Sequence, residues 1–148
     1  MSTVFNLEDR LTLARRIDAL AASATPLWGR MDCPQMLAHL TDGVRMALGE
    51  FRVTTKGPAA LRLPPIRHAV IHWLPFPKGA PTAPELLVRR ATDWQAECAD
   101  LKHLLERLGA MEGAREWPDH PAFGRMTSRD WGTLVHRHVD HHLRQFRA

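Results

Sequence analysis

Cysteine is nearly absent. Cys33 and Cys98 are the only two in 148 residues, and neither stands in a C-x-x-C pair. That excludes a disulfide framework and a zinc ribbon, and leaves two free thiols in a reducing compartment. Long apolar runs are absent too: nothing approaches the roughly 18 residues a membrane-spanning helix needs. The N-terminus carries Glu8, Asp9, Arg10, Arg15 and Arg16 where a signal peptide would need an apolar stretch, so the expected location is cytoplasmic, with no membrane partner. Although the net charge is +4 and the pI about 9.8, no block of five basic residues occurs. The cations are dispersed, which argues against a nucleic-acid partner. Internal repeats and low-complexity tracts are also missing.

What is there fits one domain spanning residues 1–148: 45% hydrophobic and 24% charged residues, enough chain to bury a core. A first helix is expected over Leu7–Ala21, with Asn6 as N-cap and a stripe of Leu7, Leu11, Ala14 and Ala21 widened by Ile17 and Leu20. The second should start at Asp32-Cys-Pro-Gln35, where an acid caps and Pro34 falls in the first turn, and run to about Glu50. Met36, Leu40, Val44 and Ala47 make its apolar face, with His39 and Gly43 alongside. A third helix is expected over Asp93–Gly109, opened by a Thr92–Gln95 capping box and closed by Gly109. Thr127 and Asp130 open a fourth.

Between the second and third helices lies a different kind of sequence. Seven of the eleven prolines fall between Pro58 and Pro84. No long helix fits there. Short helices over Arg67–Trp73 and Pro84–Arg90 do, with a hairpin over Val70, Ile71 and Trp73 as the weaker alternative. Some forty residues is too long for a turn and suits a crossover joining two parallel helices. The fold class is therefore all-α, a helical bundle with a proline-rich crossover.

The chemistry concentrates in histidine. Nine are present, and four of them, His136, His138, His141 and His142, crowd one stretch of the last helix. His138 and His142 are four apart, on one face, as two imidazoles gripping a single metal must be. His39 on the inward face of the second helix supplies a third ring. On spacing alone His141, three residues after His138, is a rival. His68 and His72 form a second H-x-x-x-H pair, read as the polar edge of a short crossover helix. His103 reads as solvated, His120 as a loop anchor, and His136 as facing away from the 138/142 pair. Gln145 and Asp42 are placed to hydrogen-bond a ligand histidine, with a solvated helix acid as the blander reading of Asp42. Cys33, near a helix start, is a candidate for a lowered thiol pKa, with a structural role the stronger reading.

The string QMLAHL around His39, followed far downstream by His138-x-x-x-His142-x-x-Gln145, resembles the DinB-like (YfiT-like) superfamily. The stretches Leu74–Leu86 (LPFPKGAPTAPEL), His120–Met126 (HPAFGRM) and the RHVDHHLRQF ending resemble a branch of it known only as a domain of unknown function. The resemblance spans nearly all the chain from Thr25 onward. It implies an up-down-down-up four-helix bundle, with His39, His138 and His142 as ligands of a divalent ion. Zinc or nickel suits three imidazoles best, with iron or manganese next. Such an ion can lower the pKa of water from about 16 toward about 7, or present a small thiol as thiolate. Characterised relatives follow the second route, which implies a transferase working on a small-molecule substrate with a low-molecular-weight thiol. The alternative is a non-catalytic bundle in which a metal pins helices. Relatives often form homodimers.

Overall fold

A computed structural model describes residues 1–148, and it is helical throughout, with five α-helices and no strand. They are α1 (Leu7–Ala19), α2 (Cys33–Ala47), α3 (Pro64–His72), α4 (Trp94–Gly109) and α5 (Ser128–Gln145). Single 3-10 turns occupy Ala59–Arg62 and Pro84–Leu87. No helix is long and apolar enough to cross a membrane.

The helix ends follow from local chemistry. Asn6, Asp32 and Asp93 each accept a backbone N–H three residues on, and Thr127 and Asp130 form a reciprocal capping box. Asp93 rather than Thr92 caps α4. Three residues short of the expected Glu50, α2 stops because Gly49 adopts a left-handed conformation, φ +76°. Gly49 N–H then donates to Met46 O and Glu50 N–H to Arg45 O, the two bonds of a Schellman ending. Gly109 is the last residue of α4, as expected, but the cap is Ala110. A Cβ at Gly109 would come within 2.6 Å of the Arg10 guanidinium. The glycine's role is to admit Arg10, which donates to Val4 O and Phe5 O.

One core unites these helices. Leu13 and Ile17 of α1, Met36, Leu37 and Leu40 of α2, Leu101, Leu105 and Leu108 of α4, and Trp131 and Leu143 of α5 are essentially sealed from solvent. Each such side chain contributes about 1.5–3 kcal/mol over its exposed state. In α1 the buried face is Leu13, Ile17 and Leu20, while Leu7 and Leu11 are 55% and 45% exposed. The expected stripe is thus rotated. Two apolar registers were available on α1, and packing against α4 and α5 selects the second.

The proline-rich stretch is tied down rather than slack. Glu85 Oε1 accepts from the backbone N–H and hydroxyl of both Thr54 and Thr55. The turn at Pro84–Leu87 lies along α2, where Gln35 Nε2 donates to Leu87 O at 3.0 Å and Ala91 N–H to Pro34 O at 3.1 Å. On the other side, α3 packs on α5, and Arg137 of α5 donates to the terminal carbonyls Val70 O, Ile71 O and Leu74 O.

Candidate metal centre

Three imidazoles meet where α2 faces the second half of α5. The ring centroids of His39 and His138 are 4.8 Å apart, those of His39 and His142 4.8 Å, and those of His138 and His142 4.9 Å. Each offers a ring nitrogen, and the three nitrogens lie within 4.8 Å of one another. His39 Nε2 is 2.9 Å from His138 Nε2. That is hydrogen-bond distance; two nitrogens on one tetrahedral zinc at about 2.0–2.1 Å would stand about 3.3–3.4 Å apart, so the pair need part by only about 0.4 Å to share an ion.

The rings are held by their outer nitrogens. His39 Nδ1–H donates to Leu86 O at 3.2 Å, and His142 Nδ1–H to Gln145 Oε1 at 2.7 Å. Both Nε2 atoms are then left as acceptors, His39 Nε2 toward His138, with the outer nitrogens held in the way that orients metal-binding histidines. Gln145 is itself fixed, because its Nε2 donates to Trp28 O at 2.6 Å. Gly29 permits this: its φ is +81°, and a Cβ there would stand 2.8 Å from Gln145 Nε2. Gly43 lies one turn after His39, and a Cβ on it would reach only ordinary contact, 3.5 Å, with the His138 ring.

Electrostatics keep the three rings neutral. Burial pushes His39 below the ordinary histidine range and His142 down to about 3. His138 is pushed well down, by burial first and then by His39 and His142 beside it. Three neutral imidazoles converge, and the protein supplies no cation among them. A neutral ring set of this kind fits a borderline divalent ion, which can accept all three at once. The residues present could hold a metal.

Access is from the His138 side, since His39 and His142 are 3% and 8% exposed while His138 is half-buried. His141 is not turned into the triangle. Its ring packs between Trp28, at 5.4 Å, and Phe76, at 5.9 Å. Lys78 Nζ stands 4.7 Å over the Trp28 ring and Arg137 Cζ 4.6 Å over Phe76.

A match of the family model described as "Protein of unknown function (DUF1569)" covers residues 3–148. The chain belongs to the DUF1569 family. No curated protein and no solved structure matches it. In this DUF1569 chain, therefore, the case for a site rests on the geometry of its own residues.

The other candidates fall elsewhere. Asp42, expected beside His39 or in solvent, does neither. It is 1% exposed and its carboxylate is taken by Arg89, with Nε at 3.1 and 3.0 Å and Nη2 at 3.0 Å, and by Arg45 at 3.2 Å. Arg89 lies 47 residues downstream, so no local pattern announces the pair. Burial pushes the Cys33 thiol up to about 11, the reverse of activation. His103 is exposed. His120 anchors its loop, its Nδ1 accepting from Ala122 N–H and Phe123 N–H at 3.1 and 3.2 Å. His136 lines a separate cavity of about 380 Å³ with Asp9, Arg16 and Asp140. Leu86 O, which holds His39, was invisible in the sequence because a backbone carbonyl has no residue signature.

Proposed function

We propose that this chain is a divalent-metal protein of the DinB-like superfamily, with α1, α2, α4 and α5 as an up-down-down-up bundle. His39, His138 and His142 are the ligands, zinc or nickel the ion, and the proline-rich stretch the crossover between α2 and α4. The observation that carries this reading is the convergence of three neutral imidazoles, two of them oriented from behind by Leu86 O and Gln145 Oε1. A divalent ion bound there supplies Lewis acidity, lowering the pKa of a water or thiol that reaches it.

Around that point the chain's own residues do the rest. The metal-capable group contains three protein ligands and no fourth, which favours an open site over a closed structural one. Trp28, Phe76 and His141 form an aromatic rim beside it, suited to a small molecule, and Lys78 and Arg137 give that rim positive charge. The reaction that fits best is transfer of a small thiol to an electrophilic substrate, in the cytoplasm and by a chain that can pair as a homodimer.

The deciding experiment is metal analysis of untagged protein. His39→Ala and His138→Ala should each carry one equivalent of metal fewer than wild type. Variants that retain the wild-type count would sink the assignment. A panel of thiols against electrophilic substrates then tests the chemistry: turnover should depend on both thiol and metal, and metal loading without turnover by any thiol would refute the transferase reading.

A further inference from the structure

We propose that His68, His72 and Asp130 form a second divalent-cation site, clipping α3 to the start of α5, with zinc as the best-matched ion. Its ligands are distinct from the histidine triad. Asp130 and His138 are eight residues apart on α5, about 12 Å along the helix axis. The proposal does not rest on the reading of the triad.

The geometry begins with α3. His68 and His72 are four apart on this helix, and their rings lie 4.5 Å apart, tilted by 39°. Across from them, Asp130 Oδ1 is 2.8 Å from His72 Nε2. One donor atom from each of the three residues falls within 4.8 Å of the others. Two donors on one tetrahedral zinc at about 2.0–2.1 Å would be about 3.3–3.4 Å apart, so His72 Nε2 and Asp130 Oδ1 would part by about 0.5 Å from their hydrogen bond to share the ion.

The surrounding bonds leave room for a ligand role. Asp130 Oδ2 accepts from Thr127 N–H at 3.0 Å and from its hydroxyl at 2.8 Å. The carboxylate is therefore locked with Oδ1 presented to α3. His72 is 6% exposed, and its Nδ1 faces the Met1 thioether at 3.3 Å. A thioether accepts but cannot donate. An imidazolium would satisfy both neighbours, and so would a neutral ring that keeps its proton on Nδ1 and gives its Nε2 lone pair to a cation shared with Asp130. A cation on Nε2 puts the ring proton on Nδ1, where it donates to sulfur. His68 is exposed and completes the set from the solvent side, leaving coordination positions for water. Two imidazoles and a carboxylate suit zinc and its neighbours. Arg137 at the carbonyl end of α3 and the Arg67 bond to Arg125 O at 2.8 Å hold α3 in place against the region of Asp130.

Zinc titration calorimetry on untagged full-length protein tests this, comparing wild type with His68→Ala, Asp130→Asn and His138→Ala. His68 is exposed and its ring meets only His72 and the exposed Trp73, so His68→Ala should fold and bind one zinc fewer than wild type. Asp130→Asn should weaken the same zinc at least tenfold. His138→Ala should leave this zinc in place, whatever it does to the triad. An unchanged zinc count in His68→Ala overturns the site and leaves His72–Asp130 as an ion pair only. Loss of zinc in His68→Ala with unchanged affinity in Asp130→Asn reduces it to a two-histidine surface chelate and overturns the role of Asp130. Should Asp130→Asn unfold, seen as lost circular dichroism, the substitution Asp130→Glu serves instead. It keeps the charge and should shift the affinity if this carboxylate is a ligand; unchanged affinity there counts against it.

Discussion

Gln145 Oε1 accepts from His142 Nδ1 at 2.7 Å, while Gln145 Nε2 donates to Trp28 O at 2.6 Å, so one side-chain amide fixes both a histidine tautomer and a loop. Its two ends are not interchangeable. Gln145→Leu keeps the bulk but removes both bonds, and zinc affinity at the triad should fall about 10–100-fold. Thermal stability should fall by about 1–3 kcal/mol from the unpaired Trp28 carbonyl. Calorimetry on the variant checks the first figure, and unchanged affinity would mean that His142 is oriented by something else.

Asp42 gives a prediction of the opposite kind, large for the fold and small for the site. Asp42→Asn removes the charge facing Arg89 and Arg45. Arg89 is 39% exposed and can turn partly to water, so the cost is about 1–3 kcal/mol rather than the larger value of a fully buried pair. Denaturant unfolding should report this drop while the metal count stays at the wild-type value. A loss of metal with no change in stability would reverse the assignment.

Stability should decline as the solution is acidified from neutral. Burial pushes His120 down to about 4, and its Nδ1 must stay unprotonated to accept from Ala122 and Phe123. Above about 6.5 the ring is neutral in both folded and unfolded chains, so no differential exists. Below that, the unfolded chain takes up a proton that the folded chain refuses until about pH 4. The loss through this window is roughly 3 kcal/mol, at 1.36 kcal/mol per unit. His120→Asn keeps an acceptor without titrating, and its melting temperature should vary less between pH 6.5 and 4 than that of wild type. Parallel pH profiles would rule His120 out as the cause.

Gly132 is where the chain's beginning lies against α5. A Cβ there would come within 2.4 Å of the Phe5 ring and 2.5 Å of Thr3 Oγ1, and Val4 N–H donates to Gly132 O at 3.1 Å. Gly132→Ala should force this segment outward and, despite the better helix propensity of alanine, cost about 1–3 kcal/mol. Faster proteolysis near residues 3–5 should accompany it. A gain in stability would show that the segment moves freely.

Much of this was legible in the residues, and the division has a physical basis. Asp32 with Pro34 and Thr127 with Asp130 mark helix starts by chemistry complete within four residues, so α2 and α5 begin where expected. His138 and His142 share a face because helix geometry alone requires it. What failed was whatever depended on a distant partner. Leu7 and Leu11 make as good a stripe on α1 as Leu13 and Ile17, and only α4 and α5 choose between them. His72 reads as a polar helix edge until Asp130 comes to meet it, 58 residues on. Gly109 does mark the end of α4, but nothing local shows that Arg10 occupies the space a side chain there would fill.

Leu86 lends His39 only its carbonyl oxygen, and that has an evolutionary corollary. Selection for the site would act on the course the chain takes past α2, and scarcely on which side chain stands at position 86. Related sequences can therefore exchange Leu86, whose side chain is buried, for another apolar residue, while an inserted or deleted residue in the Pro84–Leu87 turn would displace the oxygen and release the ring. Replacing Leu86 by other apolar residues and making single-residue indels in this turn should separate the two tolerances: the former mild, the latter severe.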